Sequence, residues 1–287
     1  MIIDAFIFNN ELEILLLRLN FLNDIVDRFV IVESKRTLAG ADKPLHFYNN
    51  RHLFQPFLNK IVYLEAPAND LTPWEYEFFQ RNYLKKGLED CAEDDIVFIS
   101  DVDEIVNIKD VIERQSHKLP ALIELPMYYY YLNLKTSSTF FVNLAGSWSF
   151  IKNLDLGYRY QDYPKYTSSK IRCDDVITGW HFSYLFGEDI LRYQQKIRSF
   201  SHQEFNTPYY LNPNRIKKCV TLGIDLFERT QMKLFVDNQS ILPIRDLALK
   251  LGMNKYFYTS SFKHYLKPGN LFFLLKTKLL RIIGGRR

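Results

Sequence analysis

Four short runs of branched and aromatic apolar residues, spaced by helix-length segments, constrain this chain more than any other feature. They fall at residues 2–8, 28–33, 60–64 and 95–100, the second carrying Phe29-Val30-Ile31-Val32 and the fourth Ile96-Val97-Phe98-Ile99. Continuous apolar runs of this length read as strands buried on both faces. Between the first two, Leu12, Leu15, Leu16, Leu19 and Leu22 recur at helical spacing over 11–22. Residues 73–88 read as a helix, with Thr72 as N-cap and Pro73 in the first turn. The alternation predicts an α/β fold, Rossmann-like, with a mostly parallel central sheet flanked by helices. The later chain is less regular. Strands are expected at 122–131, 147–151 and 177–182, and a helix at 188–200. Tyr128 to Tyr131 lie in the first of these strands, so two should face a groove and two the core.

Composition narrows the classes. Three dispersed cysteines, Cys91, Cys173 and Cys219, give neither a disulfide framework nor a zinc motif, and suit a reducing compartment. The first residues carry no basic segment and no long apolar run, and no stretch has the length of a membrane span, so a cytoplasmic protein is expected. Nine Lys and Arg residues follow Asp246 and no acidic residue does, which leaves the remainder net acidic. An acidic body argues against nucleic acid as the partner. The tail, 254–287, reads as a separate basic and aromatic segment. Within it, 270–283 suits an amphipathic helix at an anionic membrane surface, with Phe272, Phe273, Leu279 and Ile283 inserted, or a helix docked on the body.

Ligands of open α/β sheets sit beyond the carboxyl ends of the strands. Polar clusters fall there: Asn9-Asn10-Glu11, Glu33-Ser34, the neighbourhood of Glu65, and Ser100-Asp101-Val102-Asp103-Glu104. In an extended segment Asp101 and Asp103 point to one side. Two converging carboxylates are costly to keep ionised without a cation between them. Mg²⁺ or Mn²⁺ suits such oxygens and completes its shell with substrate phosphates. A solvated acidic turn is the alternative reading.

Longer patterns carry a resemblance. Asp4-Ala5-Phe6-Ile7-Phe8-Asn9-Asn10-Glu11, Arg18-Leu19, the stretch from Val26 to Ser34, then Thr37, Gly40 and Lys43-Pro44-Leu45 are similar to glycosyltransferase family 17. So are Ser100-Asp101-Val102-Asp103-Glu104-Ile105, Gly179-Trp180-His181-Phe182-Ser183-Tyr184, and the stretch from Lys196 to Glu204. The resemblance covers roughly residues 1–230, in family order. It implies a GT-A type fold, a UDP-N-acetylglucosamine donor, inversion to a β linkage and a divalent metal. Residues 1–253 would then be the catalytic domain, its nucleotide-sugar half about 1–110 and its acceptor half about 111–253. No anchor or stem like those of the animal enzymes is expected, which would make the chain more like short microbial members. Its acceptor would be a glycan or a lipid-linked saccharide, the latter reached at the inner face of a membrane through the tail.

The candidate metal ligands are therefore Asp101, Asp103 and, by analogy with GT-A enzymes, His181. Asn10, Glu11 and Glu33 are candidates for holding the uridine and Arg81 for a phosphate, while Asp101 would also bind the donor, through the metal. Capping, turn and ion-pair roles would explain the same residues, Arg81 standing one turn after Glu77. Inversion needs a base for the acceptor hydroxyl. Glu188 and Asp189 at a helix start are preferred, with Glu204 as rival. Trp180 would either stack on the acceptor or pack in the core. Two further readings stay open: a GT-A enzyme using UDP-galactose or UDP-glucose, and a catalytically silent glycan-binding protein on the same fold.

Overall fold

The four apolar runs lie side by side as parallel strands in the structure, a computed structural model that describes residues 1–229 and 231–259 together with Phe273 and Leu275. In chain order the first half gives β1 (Ile2–Ile7), α1 (Leu12–Leu22), β2 (Arg28–Ser34), α2 (His46–Asn50), β3 (Ile61–Ala66), α3 (Pro73–Tyr83) and β4 (Ile96–Asp101). The second half gives β5 (Glu104–Val106), α4 (Ile108–Gln115), β6 (Ala121–Tyr129), β7 (Leu134–Ser147), α5 (Trp148–Ile151), α6 (Arg159–Tyr166) and β8 (Lys170–Ile171). There follow β9 (Gly179–Ser183), α7 (Ile190–Ser199), α8 (Pro213–Leu222), β10 (Leu234–Val236) and α9 (Leu242–Lys250).

The main sheet runs β3-β2-β1-β4-β7-β6-β9-β5. Helical crossovers are what make β1, β2, β3 and β4 parallel. Successive residues of each strand feed opposite layers. Phe6, Phe29, Ile31 and Phe98 pack with Leu15, Leu19 and Leu22 of α1 and Ile244 of α9. Ile3, Ala5, Val30, Val97 and Ile99 pack on the other face with Leu84, Trp148, Ile151 and Tyr163. Thr72 closes a capping box with Glu75 at the start of α3, as its sequence predicts.

The expectation of a mostly parallel sheet needs correction. The amino-terminal half follows it, but β7 pairs antiparallel with both β4 and β6, and β5 with β9, while β6 pairs parallel with β8 and β9, so the sheet is mixed. The cause is the short link from β6 to β7, which can join only antiparallel strands. β7 itself was not foreseen, because Lys135-Thr136-Ser137-Ser138-Thr139 reads as loop. The strand expected at 147–151 is instead the end of β7 followed by the helical turn α5. Nor do the four tyrosines divide two and two between groove and core; of the four, Tyr129 alone lines a cleft. All four are buried, and the strand ends at Tyr129, with Tyr130 in the left-handed region at φ 68°. Tyr129, Tyr130 and Tyr131 join a second core with Tyr184 and Tyr193, against Ile197 of α7 and Ile216 and Val220 of α8.

Most of the basic tail lies outside the described residues. Phe273 packs against that second core, with the Lys218 ammonium 5.5 Å from its ring centre, and Leu275 is exposed. Among the described residues no helix is long and apolar enough to cross a membrane.

The register of the far edge decides where His181 goes. β9 pairs with β6 through Met127 and with β5 through Glu104, both opposite His181. Gly179 starts β9 at φ 132°, and a Cβ there would meet the Ile105 carbonyl oxygen at 2.1 Å. Gly179→Ala is therefore expected to lower unfolding free energy by about 2 kcal/mol or more, read from urea midpoints. A loss below about 0.5 kcal/mol would contradict the close β5–β9 approach.

Candidate functional site

The parallel half of the sheet brings the carboxyl ends of β1 and β4 together, Ile7 lying opposite Asp101. The turn that follows β4 is held from below. Arg18 of α1 is fully buried and pairs with the equally buried Asp4, at 2.6 and 2.8 Å. Its remaining N–H groups donate to the carbonyls of Asp101 (2.7 Å), Val102 (3.2 Å) and Glu104 (3.0 Å) and to Ser100 Oγ (2.6 Å). With the carbonyls drawn onto one guanidinium, the Asp101 and Asp103 side chains face a cleft of 710 Å³.

Inside the cleft the two aspartates are treated differently. Asp101 Oδ2 accepts from Arg159 Nη1 at 2.7 Å, and Arg81 Nη2 reaches both its oxygens at 3.2 and 3.4 Å. Arg159 also binds Glu104 at 2.5 Å, and Arg81 binds Glu77 at 2.6 Å. Burial pushes the Asp101 carboxyl up, but the Arg159 and Arg81 charges outweigh it and hold it well below the usual carboxylate range. Asp103 instead faces Lys196 Nζ at 3.1 Å and His181 Nε2 at 3.7 Å. Lys196 is shared with Glu11 at 3.3 Å. Burial works against its charge; the Asp103 and Glu11 carboxylates prevail and raise its pKa. One turn earlier on α7, Arg192 grips Glu13 of α1 at 2.8 and 3.0 Å, which fixes α7 so that Lys196 enters the cleft.

Of the residues picked out from sequence, Glu11, Arg81, Asp101, Asp103, His181 and Glu204 line this one cleft. Asn10, Glu33, Glu188 and Asp189 do not. Asn10 gives its backbone N–H to Glu11 Oε2 at 2.9 Å, and its neighbour Asn9 lines the cleft. Glu33 is buried beneath it, accepting from Phe47 and Tyr48 N–H at the start of α2 and from Lys43. Burial raises its pKa. Asp189 caps α7 through the Arg192 N–H at 3.4 Å, and Glu188 is exposed. Trp180 packs: it is fully buried, stacks on Phe182 and donates to the Ser240 carbonyl. Sequence reasoning missed Arg159, which stands in no motif. It also quoted Lys196, Lys43 and Arg18 within motifs without giving them a role.

Such a cleft, with carboxylates and fixed cations at the switch point between β1 and β4, suits a ligand carrying a phosphorylated, polyhydroxylated group. Residues 1–270 match the model for glycosyltransferase family 17, and the chain belongs to that family. It is similar to the β-1,4-mannosyl-glycoprotein 4-β-N-acetylglucosaminyltransferases of Rattus norvegicus and Homo sapiens. Identity is 30% over 114 residues in both, covering 36% of this chain and 21% of each relative. The Mus musculus protein of the same name is 29% identical over the same length. The match thus spans about a fifth of these relatives.

The Asp101 pairing has a pH signature. A carboxyl held below its ordinary value of 3.8 adds stability that is full above that value and is lost as pH falls through the depressed one. Asp101→Asn should be less stable than wild type near neutrality, and the gap should narrow between about pH 5 and about pH 2, by urea unfolding. A gap that stays constant over that range would refute the assigned pairing.

Proposed function

We propose that this chain is a GT-A type, metal-dependent, inverting glycosyltransferase that moves N-acetylglucosamine from UDP-N-acetylglucosamine to a glycan or lipid-linked saccharide. The observation that carries this is the Asp101-to-Glu104 turn at the β1–β4 switch point, facing Arg81, Arg159 and Lys196 in one cleft. Family membership and the named relatives support the same reading.

We place a divalent ion against Asp103 and His181 rather than Asp101; among the described residues no group of three or more His, Cys, Asp or Glu is gathered for a metal, so the protein would supply two ligands. Asp103 Oδ1 faces His181 Nε2 at 3.7 Å. Asp101 is committed to two buried guanidiniums. Two protein ligands leave room for the diphosphate oxygens that Mn²⁺ or Mg²⁺ ordinarily takes. When bound, the ion would neutralise the leaving diphosphate.

The protein groups do the rest. Arg81 and Arg159, oriented by Asp101, present permanent positive charge to the phosphates. Lys196 can follow the charge that leaves with UDP. A base takes the acceptor hydroxyl proton, the oxygen attacks the anomeric carbon, and UDP departs with the bonding pair. Glu204, paired with His202 Nδ1 at 2.7 Å and lining the cleft, is proposed for this base in place of Glu188 and Asp189. Segment 1–110 then supplies Glu11, Arg81, Asp101 and Asp103 for the donor, and 111–253 supplies Arg159, His181, Lys196 and Glu204.

UDP-N-acetylglucosamine should raise the melting temperature more than UDP-galactose, UDP-glucose or a GDP sugar, and more with Mn²⁺ than without. Asp103→Ala and His181→Ala should remove the Mn²⁺ increment. Glu204→Gln should lower kcat about 100-fold with little change in donor affinity, while Glu188→Gln and Asp189→Asn stay within about threefold. Equal shifts by all nucleotide sugars, or full activity of Asp103→Ala, would defeat the proposal.

A further inference from the structure

The mouth of the cleft carries exposed aromatic rings that the chemistry above does not use. Trp74 is 38% exposed, Tyr158 45% and Tyr160 65%, and all three line the cleft. They form two walls of contacting rings. In one, Trp74, Phe78 and Tyr158 run in sequence, with ring centres 6.1 and 4.0 Å apart. In the other, Tyr160 meets Phe140 at 5.5 Å, and Phe140 meets His181 at 4.8 Å. The Arg81 and Asp101 charges line the same cleft.

Three features favour a sugar ring as occupant. Aromatic faces left in water beside a charged cleft match a pyranose, which offers an apolar C–H face and a hydroxyl edge. The same cleft is lined by hydrogen-bonding groups, Gln161, His202 and Glu204. The first wall also leads to the proposed base. His202 stands edge-on to Trp74 with centres 4.6 Å apart, and its Nδ1 holds Glu204. A ring lying on Trp74 therefore carries its hydroxyls beside that carboxylate.

We propose that these walls are the acceptor subsite, Trp74 and Tyr158 receiving the sugar whose hydroxyl reacts and Tyr160 covering its opposite side. The proposal rests on the transferase reading and adds to it the acceptor's place and class: a neutral oligosaccharide presenting one open pyranose face.

Tryptophan fluorescence tests this, because Trp148 and Trp180 are 7% and 0% exposed and only Trp74 meets a quencher in solution. Full-length protein would be quenched with acrylamide in the presence of UDP and each of chitotetraose, mannotetraose and cellotetraose. At least one should protect Trp74. Trp74→Ala should abolish the protected component. Tyr160→Ala should raise the half-saturating concentration about tenfold, and Trp74→Tyr should recover part of the affinity seen in a parallel titration calorimetry series. The melting-temperature rise given by UDP-N-acetylglucosamine is read on the same samples. A donor-induced rise with no saccharide protecting Trp74 overturns the subsite and leaves the transferase standing. Protection by a saccharide without any donor-induced rise supports the subsite and counts against the transferase. Protection of Trp74 by UDP alone would give these walls to the nucleobase and overturn the proposal.

Discussion

The buried pair of Arg18 and Asp4 is the constraint on which the cleft depends. An ion pair with no exposed surface is expensive to bury, and is tolerated when every proton and lone pair has a partner. Here the guanidinium meets that condition by binding the turn after β4. Asp4 takes two of its N–H groups, three backbone carbonyls and the Ser100 hydroxyl take the others, and the ring of Phe6 lies 4.1 Å from its carbon. The cost of the pair and the shape of the turn are therefore one problem with one solution. A neutral residue at 18 would leave Asp4 unpaired and three carbonyls unsatisfied within the core.

That arrangement explains what could be read from sequence and what could not. The apolar runs at β1, β2, β3 and β4 were legible because a strand buried on both faces must be continuously apolar. Asp101 and Asp103 were legible because they follow such a run at once. β7 was not, since its first half is polar and its partners are decided by a short link whose geometry no periodicity records. Arg159 was equally hidden. It reaches Asp101 across 58 residues, and nothing near it in the chain signals that distance. Glu188 and Asp189 were open to two readings for a physical reason: acidic residues at a helix start satisfy N–H groups as well as they serve chemistry, and Asp189 does cap its helix.

The two aspartates show why spacing alone does not assign a role. An i, i+2 pair points to one side, and both do face the cleft. What separates them is the surrounding charge. Asp101 lies between two guanidiniums that cannot deprotonate, so its oxygens are occupied at every working pH. Asp103 lies against an ammonium on a flexible stem and an imidazole, both of which can yield their place. The first is suited to orienting cations and the second to exchanging one for another.

Exchange is what an internally neutralised cleft requires of its ligand. The cleft is lined by six carboxylates and six Lys or Arg side chains, so the diphosphate of the proposed donor would not enter an unopposed positive field. It would have to draw cations from partners they already hold. Arg81 and Arg159 line the cleft while they hold Asp101, so their charge would reach a phosphate without leaving that carboxylate. Lys196 has only a point charge to offer and must divide it among Glu11, Asp103 and the newcomer. A divalent ion beside Asp103 would free Lys196 from that carboxylate and leave its charge for the phosphates. Under the proposed function, donor binding and ion binding at this site would be coupled through one lysine, each easing the other's electrostatic cost.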